Sequence, residues 1–200
     1  IVERNPYVYG PTPAFERLVF LFTGEDATLS AAHAGQVDIA SVPSALAANV
    51  PAHMQRVIME SVDNRGILFP MQPVNGEHTA SGAPIGNDVT ADIAVRQAIN
   101  LAVDRDMLVE VALHGYGRPA FGPADGLPWS ASDERLVAPD PEQAAEILDA
   151  AGWQLGDDGL RYKEGLPASF RLTYPSGDTT RQLLAEVSAE MVRPLGIEIQ

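Results

Sequence analysis

Two rhythms of apolar residues alternate along this chain: short β-rich runs, and longer stretches at helical spacing, with turn residues punctuating both. Residues 17–22 (RLVFLF) predict a buried strand, bounded by Pro11 and Pro13 upstream and Gly24 downstream. A short helix follows over residues 29–34, capped at Asp26 or Thr28 and stopped by Gly35. Residues 37–40 predict a strand, 43–49 a helical turn, and 55–60 and 66–71 two further strands. From 73 to 88 the composition turns to Gly, Asn, Ser, Thr and Pro, predicting a long loop and a lobe boundary that divides the chain into 1–74 and 75–200.

Beyond that loop, Ile93, Ala94, Ala98, Ile99, Leu101 and Ala102 recur at helical spacing, with Thr90 as the expected cap. Asp104 is expected to cap a second helix over 105–114 that ends at Gly115. Residues 115–139 carry many Gly and Pro and predict an extended surface loop anchored by Trp129. Asp140-Pro141-Glu142-Gln143 places a cap, a first-turn proline and a glutamine three residues after the cap, which announces a helix ending at Gly152. Asp158-Gly159 predicts a hairpin between 153–155 and 160–162, and 169–174 a strand. A last helix over 180–193 is stopped by Pro194 and Gly196, before a strand from Ile197. The pattern as a whole is α/β.

Composition narrows the function. Twenty-seven acidic against 13 basic side chains give a net charge of -14, which repels nucleic acid and anionic membrane surfaces. No apolar run approaches the roughly 20 residues needed to span a bilayer. With no cysteine, disulfides, thiolate metal sites and cysteine nucleophiles are all excluded. The four histidines are too scattered for a paired helical metal site, and neither Asp157-Asp158 nor Asp104-Arg105-Asp106 has the spacing of a calcium loop. No cofactor is expected. No nucleophile elbow, phosphate-cradling loop or His-Glu-x-x-His helix occurs, so an enzyme is not expected. Arg96 is expected to pair with Asp92 or Asp88. The chain starts at Ile1 and finishes in a strand-like Ile197-Glu198-Ile199-Gln200, so both ends read as cut.

Several segments then occur together in one order. Arg4-Asn5-Pro6-Tyr7-Val8-Tyr9-Gly10 and Gly35-Gln36-Val37-Asp38-Ile39-Ala40 come first. Val95-Arg96-Gln97-Ala98-Ile99-Asn100-Leu101-Ala102-Val103-Asp104-Arg105 follows, then Gly115-Tyr116-Gly117-Arg118-Pro119-Ala120. Asp140-Pro141-Glu142-Gln143-Ala144-Ala145, Ala151-Gly152-Trp153 and Leu195-Gly196-Ile197 complete the set. This series resembles the extracytoplasmic solute-binding proteins of ABC importers, family 5, the oligopeptide, dipeptide and nickel class. Val8-Tyr9 departs from the family's usual Tyr-Trp pair.

The resemblance implies a two-lobed α/β fold of the periplasmic-binding-protein type, in its large type II form, here present as a fragment. It implies capture of a peptide or similar small solute, delivery to a membrane permease, and an extracytoplasmic or periplasmic location with any lipid anchor outside these residues. In peptide-binding members the loop after the strand matching 169–174 borders the cleft, which makes Tyr174, Asp178 and Thr180 the candidate ligand contacts. Asp178 is equally a helix cap by position. Tyr116 and Trp129 are further candidates, with burial in their own lobe as the alternative. Nickel-chelate binding, a ligand-sensing domain of a transcription regulator, and a hydrolase remain as alternative functions.

Overall fold

The computed structural model describes residues 1–59, 61–130 and 138–200. Position 60 of the expected 55–60 strand and positions 131–137 of the expected 115–139 loop lie outside them. The chain divides into two units, Ile1–Val42 and Pro43–Gln200.

In the first unit, β1 (Val2–Glu3) and β2 (Arg17–Leu18) form a short antiparallel pair, with Val2 opposite Leu18. The expected strand over 17–22 stops after two residues. Beyond Leu18 the backbone has no ladder partner among the described residues, and Phe20 and Phe22 stand 59% and 96% exposed. A strand is buried by what lies against it, and here nothing in the described unit does so. Helix α1 spans Glu25–His33, with Gly24 at its N-cap and no side-chain capping bond. Thr28 and Ser30 instead bond back to the carbonyls of Gly24 and Asp26 within the helix. Residues 37–40 form no strand.

The core lies in the second unit. Helix α2 (Ile93–Ala102) packs on α4 (Pro141–Ala150), and α3 (Arg105–Ala112) on α5 (Thr179–Val192). Val95, Ala98 and Ile99 of α2 meet Ala144 and Leu148 of α4, Trp153, and Val192, Leu195 and Ile197 from the chain's end, all buried. Ala98 and Ala144 are fully covered, and such small residues let two helix backbones come close. Between the helices run β3 (Gln154–Leu155), β4 (Arg161–Lys163) and β5 (Leu166–Pro167), an antiparallel sheet in order β3-β4-β5. The hairpin forms as the Asp158-Gly159 signal predicts, with Leu155 opposite Arg161. Strand β6 (Ser169–Phe170) pairs in parallel with β7 (Glu198–Ile199), so the expected 169–174 strand is cut to its first two residues.

Capping follows the chemistry closely. Asp104, Asp140 and Asp178 accept the backbone N–H of Met107, Gln143 and Arg181, satisfying amides that a helix start leaves unpaired. Helix α2 corrects the expectation: Asp92, not Thr90, is its cap, accepting the N–H of Ala94 at 2.9 Å. Thr90 is buried, and its hydroxyl donates to the Pro70 carbonyl at 2.8 Å. Arg96 does not reach Asp92 or Asp88; it donates to the carbonyls of Thr90 and Ala91, clamping the turn that leads into its own helix.

Of the runs expected as strands at 55–60 and 66–71, the described residues form no ladder. The second still alternates: Ile67 and Phe69 are half-buried, Leu68 is 94% exposed, and Phe69 meets Phe170 edge to face at 6.3 Å. Gly196, left-handed at φ 78°, has no room for a Cβ, which would meet Leu155 Cδ1 at 2.7 Å and Arg161 Cγ at 2.8 Å.

Candidate functional site

Two polar clusters organise the second unit, and they differ in what they leave free. The first is internal. Asp92 uses one oxygen to cap α2 and the other to accept the Trp153 indole N–H at 3.0 Å and the Lys163 ammonium at 2.7 Å. Burial pushes this carboxyl up, but the bonds from Lys163, Ala94 and Trp153 outweigh it and hold Asp92 below the usual carboxylate range. Beside it, Arg161 is buried; it donates to the Leu195 carbonyl at 2.7 Å, to Asp149 and to the Trp153 carbonyl. Apart from the α2 cap, these bonds tie one element to another, so the cluster is a fastening. A cavity of about 360 Å³ beside it is lined by Asp88, Asp92, Trp153, Lys163, Glu164 and Leu166.

The second cluster faces outward and centres on Asp178. Asp178 caps α5 and binds the Arg181 guanidinium, with Arg65 at 3.8 Å. Burial would raise its pKa; the bonds from Arg181 and the positive charges of Arg181 and Arg65 lower it on balance. The carboxylate therefore stays ionised. Thr180 sits half-buried in the first turn of the same helix, and Tyr174, 40% exposed, stands on the segment leading into it.

Tyr116 is half-buried; its hydroxyl accepts from Arg56 at 2.7 Å while that guanidinium lies 5.4 Å from the ring centre. Arg56 also donates to Ala47, just past the 3-10 turn Ser44–Leu46. Trp129 departs from the expected anchor: it is 73% exposed, because the bends around it are closed by backbone and polar bonds rather than by an apolar pocket. Asn64 donates to the carbonyls of Pro123 and Asp125 in the loop that follows Tyr116.

The segment carrying Arg56, Asn64 and Arg65 thus brings the 115–130 loop and the 174–180 turn to one side of the unit. Sequence reasoning missed these three side chains. The Asp63-Asn64-Arg65-Gly66 interruption between two apolar runs is a turn signal, but nothing in it names a distant partner. Among the described residues no group of three or more His, Cys, Asp or Glu could hold a metal ion, and no helix is long and apolar enough to cross a membrane.

The likeness of this α/β scaffold to known proteins is to two-lobed binding proteins. The chain belongs to the bacterial extracellular solute-binding proteins, family 5, whose middle-region model matches residues 1–200. Members of this family are binding proteins rather than enzymes. The chain is 35% identical over 201 residues to Protein XP55 of Streptomyces lividans, covering 99% of this chain and 34% of that protein. NikA from Brucella suis, crystallised with Fe(III)-EDTA, matches 99% of this chain and 39% of its own at 27% identity and a TM-score of 0.69. The oligopeptide-binding protein AppA from Bacillus subtilis, crystallised with a nonapeptide, matches 57% of this chain and 23% of its own at 32% identity and a TM-score of 0.51. The chain spans about a third of the length of the curated relatives it matches end to end.

Proposed function

We propose that this chain forms part of the solute-holding body of an importer's binding protein, which captures a peptide or similar small solute outside the cytoplasm and hands it to a membrane permease. The observation that carries the reading is the convergence of the Tyr116 loop and the Asp178 turn, tied together by Arg56, Asn64 and Arg65. Tyr174, Asp178, Thr180, Tyr116 and the exposed Trp129 are the solute contacts in this proposal, Trp129 by its exposure and Asp178 by its charge. The lobe boundary expected at residues 74 and 75 falls inside the compact unit Pro43–Gln200, so the solute contacts proposed here all belong to that one unit.

A metal chelate is the second reading, favoured by the fuller match to NikA than to AppA. Thermal unfolding of the full-length protein with short peptides in one arm and nickel with excess histidine in the other decides between them. A true ligand at a hundredfold excess over its Kd adds about 2.7 kcal/mol. A shift only with nickel-histidine replaces the first reading by the second, and no shift in either arm removes both. With the ligand known, Asp178→Asn isolates the charge, since asparagine still caps a helix, and affinity is expected to fall by about tenfold, or about 1.4 kcal/mol. Unchanged affinity takes Asp178 out of the contact set.

A further inference from the structure

The 115–130 loop and the turn at the head of α5 are distant in sequence, yet two adjacent residues touch both. Asn64 Nδ2 donates to the Pro123 carbonyl at 3.0 Å and the Asp125 carbonyl at 3.4 Å. Next to it, Arg65 Nη1 lies 3.8 Å from the Asp178 carboxylate, and Nη2 donates to Asp63 at 3.0 Å. The loop is closed on itself around the buried Asp125, whose carboxylate accepts the Phe121 N–H at 3.0 Å and the Ser130 hydroxyl at 3.3 Å. Its own N–H donates to Gly122, and that of Leu127 to Ala124. These bonds tie residues 121–130 together, so holding the carbonyls of Pro123 and Asp125 constrains that part of the loop.

We propose that Asn64 and Arg65 are positioning residues, a two-residue peg that sets the separation between the loop and the turn and with it the width of the face that holds the solute. This rests on the solute-binding reading, but its test needs no solute. Neither residue has to touch the ligand. Asn64 holds the loop through its two hydrogen bonds; Arg65 adds a charge contact at 3.8 Å to a carboxylate that Arg181 and the α5 cap already hold; their shared backbone links the two contacts.

The test uses the full-length protein with spin labels at Gly122→Cys and Ser176→Cys, any cysteine outside this chain being replaced by serine. Both sites are open to solvent, and Gly122 has nothing within 4 Å of an added Cβ. Asn64→Ala and Arg65→Ala are each expected to broaden the distribution of label-to-label distances. Asn64→Asp, which keeps the shape and removes the donor, is expected to behave as Asn64→Ala. In the Asn64 variants the Asp125 and Leu127 amides exchange about fivefold faster, the loss expected for one hydrogen bond, while the α2 amides keep their rates. A distribution left unchanged by either alanine variant overturns the peg, as does an equal acceleration in α2, which would mean general loosening. Failure of every solute to bind removes the proposed function, and the distance measurement stands apart from that outcome.

Discussion

Removing Asp92 puts a number on how much one carboxylate holds together. Asp92→Ala deletes the α2 cap, which costs about 1 kcal/mol. It also strands the indole N–H of Trp153, a side chain only 1% exposed, at a further cost of about 1–3 kcal/mol. The Lys163 pair adds little, about 0–1 kcal/mol, because Lys163 is 36% exposed and water screens it. The expected loss is about 2–5 kcal/mol, allowing for partial relaxation. Asp92→Asn separates the terms: the amide oxygen can still accept from Ala94, but its NH2 group then faces two donors, Trp153 Nε1 and Lys163 Nζ. It should recover about 1 kcal/mol of the loss and no more. Asp104→Ala is the reference, since the bond to Met107 is the same cap without the buried indole, and its cost is about 1 kcal/mol. Urea unfolding followed by far-UV circular dichroism reads all three. If Asp92→Ala unfolds at the same urea midpoint as Asp104→Ala, the indole bond contributes nothing and the reasoning is refuted.

Three further outcomes are expected. Arg161→Met keeps much of the buried stem but abandons the carbonyls of Leu195 and Trp153, and should lose about 2–5 kcal/mol by urea unfolding; a loss under about 1 kcal/mol would mean that water replaces the guanidinium. Gly196→Ala forces a Cβ against Leu155 and Arg161 at positive φ, so the melting temperature should fall by several degrees, whereas Gly159→Ala, with open space around it, should suffer only the backbone penalty of about 1–2 kcal/mol. Asp92 and Asp178 have folded pKa values below their ordinary ones, so the stability they contribute is complete above the unfolded carboxylate pKa of about 3.9 and is lost as pH falls through the lower folded values. Acid unfolding of Asp92→Asn should therefore be less steep than that of the parent below about pH 4; identical slopes would show that Asp92 is not a source of the acid sensitivity.

Local chemistry explains what could be read without a structure. Asp140-Pro141, Asp104 and Gly196 each act on their immediate neighbours: a carboxylate meets an amide three residues on, and a left-handed glycine ends a turn. The same locality accounts for the Asp158-Gly159 hairpin and the apolar face of α2. Thr90 shows the limit, because Thr90 and Asp92 are both capping residues within reach of the same helix start. Only the Pro70 carbonyl, 20 residues upstream, takes the threonine and leaves the cap to the aspartate.

The runs at 17–22 and 55–59 show the other limit. Their β-rich composition is plain, but a strand exists by virtue of a neighbour, and no local rule supplies one. The candidate site follows the same division. Asp178 was legible because a helix start is marked in the sequence, whereas Tyr174 lies past the end of β6 at Phe170, and the family could be recognised because its motifs are of that local kind. That Asn64 and Arg65 stand between a loop some 60 residues on and a turn more than 100 residues on was decided by tertiary structure, since hydrogen bonds between side chain and distant backbone leave no periodicity to read.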